Sequence, residues 1–482
     1  MEGPKAATPL NCMDKAMFAL HSHDEPMVLH CILTTVGAVE PVRLKFALMA
    51  VLSRCPSLRS TIQAAPLGQV RESQDPYSCE ILSVWDLAES QRAAGEDHRR
   101  IDGRREGRLS EWMNKPLDPT KSLPCRVLLL RETLRESSLV FTFHHAAVDG
   151  VRALRFVSEV IQECNGVAER SWLPVHGHSG TDGDEMVALA RACRLGVKHF
   201  YLNITASLAH RFLVAPFSPN ARIYRTTSKP SAEICFCQGS LSPRELRQIR
   251  SKSRSVGVKV NDILLAACFR TIEQWNRGYG RLSRKISIMV PVDVGGAVSS
   301  PVLANEVSFI SVPTTRKERS DPEELIRRVG QRTSGMLRNG MAFSMVYAAC
   351  FCTRLPPGMA KTVARLVMAT RIYLDTVVLT NLGLIWPKEA ASMEGIKIGS
   401  ARVASVVVIP PVVSPMGISL SAGTYHDCLH VALAYKTSHF SEAQAKTFLG
   451  LYLREIRSYQ KGSEAMPVPE ARYRDAREPV PA

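Results

Sequence analysis

Residues 141–161 read Phe-Thr-Phe-His-His-Ala-Ala-Val-Asp-Gly-Val-Arg-Ala-Leu-Arg-Phe-Val-Ser-Glu-Val-Ile, and the period of the apolar residues changes partway through. Phe141, Thr142 and Phe143 are strand-forming residues, whereas Val151, Leu154, Val157 and Ile161 recur at helical spacing as far as Asn165-Gly166, a stop signal. His144 and His145 therefore stand at the end of a strand, and Asp149-Gly150 at the start of a helix. Such strand ends present side chains to crevices in α/β folds.

The pattern repeats outward from this unit. Toward the N-terminus the spacing predicts a strand over 27–35, a helix over 42–54 with Leu44, Leu48, Val51 and Leu52 on one face, and a strand over 58–63. Strands at 125–130 and 138–143 are joined by a polar turn, and the mixed Arg, Asp and Glu run at 92–108 reads as a solvated helix face. Downstream, strands are expected at 232–237, 286–292, 307–312 and 376–379. Ser242-Pro243 opens one helix, Asn261-Asp262 caps another that runs to Trp275, and a further helix covers 322–338. Strands at 416–422 and 428–435 form a hairpin across 423–427, and a helix over 442–456 closes the fold. The expected organisation is α/β: an N-terminal lobe at 1–165, a crossover at 166–229 with a Gly/His/Asp-rich loop at 176–184 and an amphipathic stretch at 186–213, a C-terminal lobe at 230–460, and a disordered tail at 461–482.

Composition narrows the class. The 482 residues suffice for two lobes, and 45% hydrophobic with 22% charged residues excludes both a disordered chain and a multi-span membrane protein. The longest charge-free apolar stretch, 403–426, is broken by Pro410, Pro411 and Pro415 and then alternates as a strand. The chain is expected in the cytoplasm, with peripheral membrane contact left open. Its 61 Lys+Arg against 45 Asp+Glu give a net charge of +16, which calls for an anionic partner. No nucleic-acid-binding signature is present, so nucleic acid is not expected as that partner. Thirteen scattered cysteines without a C-x-x-C pair read as reduced thiols, the i,i+2 pairs Cys235/Cys237 and Cys350/Cys352 included; His21-Ser-His23-Asp24 lacks a second cluster, so no metal site is expected.

The chemical signal is the motif itself. Neutral histidine can take a proton from a hydroxyl or amine that attacks a carbonyl. Consecutive residues near a strand end point to opposite faces, so one histidine can face a crevice while the other packs or orients it. Asp149 can bond the loop backbone or a cation. Gly150 permits close approach at a helix N-terminus, whose N–H groups suit a developing oxyanion. The structural alternative is that Asp149-Gly150 is an N-cap and turn and that the histidines are satisfied core residues.

The sequence resembles the HHxxxDG acyltransferases, the superfamily of chloramphenicol acetyltransferase and condensation domains, and within it is most similar to wax ester synthase/diacylglycerol acyltransferase-like proteins. The resemblance covers nearly the whole chain: Pro9 to Leu20 with Met13-Asp14; Lys115-Pro116-Leu117-Asp118 ahead of Leu123-Pro124-Cys125-Arg126-Val127; Val260-Asn261-Asp262 to Ala266; Val290-Pro291-Val292-Asp293 followed by Ala304-Asn305-Glu306-Val307-Ser308; and Thr380-Asn381-Leu382-Gly383. It implies two chloramphenicol-acetyltransferase-like lobes with mixed sheets and a channel between them. It also implies acyl transfer from acyl-CoA, a co-substrate with no bound cofactor, to an alcohol, by a monomer. His145 would be the general base and Asp149 a structural partner, supported by His144, Gly150, Thr380 and Asn381. Two alternatives share the fold: transfer from a carrier-protein thioester to an amine or hydroxyl, and a non-catalytic basic binding protein. Two features depart from the family. Val294-Gly295-Gly296 follows Asp293 where an Arg often pairs with the motif Asp, and Leu382-Gly383-Leu384-Ile385 stands where the wax ester group continues with Pro-Gly-Pro.

Overall fold

A computed structural model describes residues 7–22, 24–65, 68–87, 98–133, 135–166, 197–209, 218–227, 233–294, 305–344, 375–386 and 395–460, with a few isolated positions besides. Along the chain run β1 (Ala7–Pro9), α1 (Cys12–Leu20), β2 (Val28–Val36), α2 (Pro41–Ser53), β3 (Ser60–Ala65), β4 (Gly68–Ser73), β5 (Leu82–Asp86), α3 (His98–Asn114), β6 (Cys125–Arg131), β7 (Glu136–His144) and α4 (Gly150–Cys164). There follow α5 (Val197–Ala209), β8 (Ile234–Leu241), α6 (Pro243–Val256), α7 (Val260–Gly278), β9 (Lys285–Asp293), β10 (Val307–Thr315) and α8 (Pro322–Arg338). The last elements are β11 (Val377–Leu384), β12 (Lys397–Ile398), β13 (Ala401–Ile409), β14 (Ile418–Tyr425), β15 (Cys428–Lys436) and α9 (Glu442–Ser458).

These strands make two six-stranded mixed sheets, ordered β12-β13-β2-β7-β6-β5 and β10-β9-β11-β14-β15-β8, and a small sheet β1-β4-β3. The expected two-lobed α/β architecture is therefore present. Strands β2 and β7 are buried on both faces because both faces are covered. Leu29, Cys31, Leu33, Phe141 and Phe143 pack under α2 and α4. On the other face Ile32, Leu128 and Val140 meet Trp112 and Met113 of α3 and Ile234, Ala432 and Ala434 of the second lobe, which joins the lobes through an apolar seam. Each fully buried Val, Leu, Ile or Phe there contributes about 1.5–3 kcal/mol.

Two local readings are corrected. Helix α7 starts at Val260, so Asn261 and Asp262 lie in its first turn; Asp262 reaches back to accept from the Lys259 N–H at 2.8 Å and holds the Thr333 hydroxyl. The turn between β14 and β15 is just His426-Asp427, both at positive φ, while Gly423 to Tyr425 stay in register with Cys428 to His430. The buried Tyr425 hydroxyl, bonded to Val403 O and the Ile396 N–H, holds that end of the strand extended. The part of the charged run from 98 to 108 lies in a helix that continues to Asn114 by burying Leu109, Trp112 and Met113. Strands β12 and β13, late in sequence, pair with β2 in the first sheet, so residues 397–409 return to the N-terminal lobe. The loop at 176–184, the stretch at 186–196, Cys350/Cys352, His23, Gly295-Gly296 and the tail at 461–482 lie outside the described residues.

Candidate active site

Strand β7 ends at His144, and the Asp149 side chain opens α4 five residues later. Between them the backbone is pinned: the His144 N–H donates to Pro124 O at 2.8 Å, the His145 N–H to Met27 O at 2.7 Å and the Ala147 N–H to His144 O at 2.9 Å. Helix α4 forms because Ala153, Leu154, Phe156, Val157, Val160, Ile161 and Cys164 make one buried face, and it stops at Asn165-Gly166, where Gly166 takes a positive φ.

The two histidines separate as their alternation requires. His144 is fully buried; its Nδ1 accepts the Ala146 N–H at 3.1 Å, and its ring stands edge-on to His21 at 4.5 Å. Burial, with the His21 and His145 rings alongside, holds its pKa well below the usual histidine range, so it is neutral. His145 is partly exposed and turns Nδ1 to Asn305 Oδ1 at 3.1 Å; among the described residues no hydrogen-bond partner meets its Nε2.

Asp149 is wholly buried and both of its oxygens are used. Oδ1 accepts the Val151 and Arg152 N–H groups at 3.0 Å each, and Oδ2 accepts the Glu306 N–H at 3.0 Å and Arg152 Nη1 at 3.2 Å. The cation beside Asp149 is Arg152, one turn into α4. Its guanidinium also binds Asp293 at 2.9 Å and forms a close pair with Glu306. Burial pushes the carboxyls of both Asp149 and Glu306 up, against the pull of Arg152. Asp149 is thus an N-cap, a cross-lobe tie through Glu306 and half of a buried ion pair.

The remaining predicted residues are placed less directly. Thr380 and Asn381 lie on β11 opposite Ser421 and Ala422, at a bulge, and Asn381 Oδ1 accepts the Gly383 N–H at 3.0 Å. The next residue, Leu382, reaches α4, where a Cβ placed on Gly150 would meet its Cδ2 at 3.5 Å, an ordinary contact. Space alone therefore does not require glycine at 150. No hydrogen bond joins Thr380 or Asn381 to the histidines among the described residues.

Sequence reasoning did not single out the residues around His145 Nδ1. Asn305 Nδ2 donates to Asp14 Oδ1 at 2.8 Å and, in a close contact, to the His145 carbonyl. Asp14 Oδ2 pairs with Arg71 Nη2 at 2.5 Å, and the same guanidinium donates to Ala146 O at 3.1 Å and Ser57 O at 3.2 Å. Asp14 and Asn305 fall in segments that carry the family resemblance, which was the available signal; Arg71 on β4 has none. Among the described residues no cluster of three or more His, Cys, Asp or Glu side chains could hold a metal, and no helix is long and apolar enough to cross a membrane.

No family model matches the chain. Two uncharacterized proteins of Mycobacterium tuberculosis, from two strains, are each 26% identical over 267 residues, 54% of this chain; the match spans 59% of the length of those curated relatives. Similar solved structures include the first condensation domain of the CDA synthetase (13% identity, TM-score 0.64, 94% of this chain and 96% of that one). The TRI3 trichothecene 15-O-acetyltransferase from Fusarium sporotrichioides is 11% identical, with TM-score 0.63 and 94% of each chain covered. The starter condensation domain of rhizomide synthetase, solved with C8-CoA and Leu-SNAC, is 13% identical, with TM-score 0.62 and 94% of each chain covered. The fold is the two-lobed one of condensation domains and related acyltransferases, across nearly the whole chain.

Proposed function

We propose that the protein is an acyltransferase that moves an acyl group from acyl-CoA to an alcohol hydroxyl, forming an ester and free CoA. The observation that carries this reading is His145: a histidine at the end of a strand, held through Nδ1, with Nε2 turned away from that hold. As the alcohol oxygen attacks the thioester carbonyl, Nε2 takes the hydroxyl proton. The carbon–sulfur bond of the tetrahedral intermediate then breaks, and the imidazolium returns the proton to the departing thiolate. No acyl-enzyme is needed. Thr380 through its hydroxyl and Asn381 through its amide N–H groups are the proposed partners of the oxyanion, since Asn381 Oδ1 is already engaged by Gly383.

Support for acyl-CoA as co-substrate comes from the net charge of +16, which suits a phosphorylated donor, and from the fold shared with an O-acetyltransferase and with a condensation domain solved with C8-CoA. The resemblance to wax ester synthase-like proteins makes lipid alcohols the first acceptors to try. The proposed setting is cytoplasmic, with the lipid acceptor reached at a membrane surface.

The test is to incubate the purified protein with a panel of acyl-CoA donors and alcohols, and in parallel with an acyl-loaded carrier protein, reading free thiol and ester. The expected result is alcohol-dependent thiol release from acyl-CoA. Turnover of the loaded carrier protein alone, or of no donor at all, would overturn the reading.

A further inference from the structure

We propose that Asp14 is a positioning residue that selects which ring nitrogen of His145 acts as the base, working through the side-chain amide of Asn305. This rests on the reading of His145 as general base and adds the device that sets its tautomer.

Donors and acceptors around Asn305 decide the tautomer. An Asn amide has one end that donates and one that accepts, and the hydrogen-bond partners decide which end is which. One end of the Asn305 amide faces two groups that can only accept: the Asp14 carboxylate, whose other oxygen is held by Arg71, and the backbone carbonyl of His145. That end must be NH2, with two hydrogens for two acceptors. The opposite end is then Oδ1, which can only accept, and it lies 3.1 Å from His145 Nδ1. The contact is a hydrogen bond if Nδ1 carries the proton. In the neutral ring the lone pair is therefore left on Nε2. Turning the Asn305 amide over would set its oxygen against a carboxylate and a carbonyl and give up both of those bonds.

The surroundings leave little room for that turn. Asp14, Arg71 and Asn305 are 2%, 5% and 3% exposed. The Asn305 backbone is held as well: its N–H points to Asp14 Oδ1 at 3.3 Å, and its carbonyl accepts from Asn11 Nδ2 at 3.4 Å. Asn11 is also the N-cap of α1, bonding the Asp14 N–H at 2.7 Å, so the helix start fixes the carboxylate. Arg71 completes the clamp by gripping the carbonyl of Ala146, next to the histidine. Residues 14, 71 and 305, from three separate parts of the chain, thus form one connected network that ends on the His145 ring nitrogen through Asn305. The arrangement serves both halves of the reaction, because Nδ1–H donates to Asn305 Oδ1 whether Nε2 is bare or has just gained the proton.

The test uses the full chain with 15N-labelled histidine. The His145 signal is identified by its loss in His145→Ala, and ring 15N–1H correlations show which nitrogen bears hydrogen. The neutral wild-type ring is expected to carry hydrogen on Nδ1. In Asp14→Asn the new amide can donate as well as accept, so the His145 carbonyl alone still calls for the amine end of Asn305: hydrogen on Nε2 is expected to appear beside hydrogen on Nδ1, with kcat down about tenfold or more and the donor KM unchanged. Since that variant strands the buried Arg71 cation, Asp14→Leu/Arg71→Met, which removes both charges together, is measured beside it with the same expectation. Hydrogen on Nε2 in the wild-type protein, or a folded variant with an unchanged ring pattern, overturns the proposal. The ring measurement does not depend on turnover. A protein inert toward every donor that still shows Nδ1–H, lost on changing Asp14, removes the functional reading and leaves this one; acyl transfer abolished in His145→Ala with a tautomer indifferent to Asp14 does the reverse.

Discussion

Arg152→Met isolates the ion pair that holds the buried Asp149 carboxyl. The substitution keeps much of the apolar stem and removes the guanidinium that binds Asp149, Asp293 and Glu306. Breaking a buried pair from one side costs about 3–5 kcal/mol because the other charge is left without compensation. Asp149 keeps its three backbone N–H donors, which places the cost near the lower end, and Asp293, with its side chain 46% exposed, adds little because water screens it. The expected loss is about 3 kcal/mol at pH 8, or roughly a hundredfold in the folded-to-unfolded ratio. It depends on pH in a defined direction. Burial already raises the Asp149 and Glu306 carboxyls, and without Arg152 they rise further. Above the ordinary carboxylate range the native variant then holds more protons than its unfolded chain, so its stability falls as pH rises and recovers as pH is lowered toward 5. The assay is urea unfolding of variant and wild type at pH 5.5 and 8, with the slopes compared to confirm a common transition. A deficit below about 1 kcal/mol at pH 8, or one that does not change with pH, refutes the reasoning.

Three further substitutions probe the frame around the site. Gly417→Ala should cost more than about 2 kcal/mol in the same unfolding assay, because Gly417 sits at φ +69° and a Cβ would fall 2.0 Å from His439 Cδ2. Lys436→Met should cost about 3 kcal/mol: the Lys436 Nζ, nearly fully buried, donates to Glu25 at 2.8 Å, Asp24 O at 3.1 Å and Ser414 Oγ at 3.0 Å, and the substitution removes these three bonds and the cation that compensates Glu25. Gly150→Ala should leave the unfolding free energy within about 0.5 kcal/mol, since its Cβ makes an ordinary contact and alanine is the better helix former; a midpoint lowered beyond that contradicts the placement of Leu382.

What could be read from the sequence was what depends on local periodicity. Strand β7, the helix stripe of Leu154, Val157 and Ile161, and Asp149 as the helix cap follow from neighbouring residues, and so does the rule that His144 and His145 face opposite ways. What lay beyond it is long-range pairing. Strand β5 is short and pairs parallel with β6, and β13 returns to β2 from more than 360 residues away, with no local mark of its partner. The same holds at the site. The missing arginine after Asp293 could be noticed, but that Arg152 would serve depends on α4 pointing it at Asp293 and Glu306. Asp14, Arg71 and Asn305 meet only because α1, β4 and the chain just before β10 converge on β7. The turn at His426-Asp427 was read too wide because Tyr425 is held in the strand by contacts with residues 396 and 403, far from it in sequence.

The central claim is that His145 Nε2 performs direct proton transfer in an acyl-CoA-dependent esterification. The measurement that meets it most directly compares wild type with His145→Ala on the donor and alcohol that turn over best, following thiol release and ester formation together, with circular dichroism and urea unfolding as checks on the fold. Thiol and ester are expected in equal amounts in the wild type. In the variant, both should fall by about 10²–10⁴-fold while the fold is unchanged. A folded variant that still forms ester within a fewfold of the wild-type rate would contradict it.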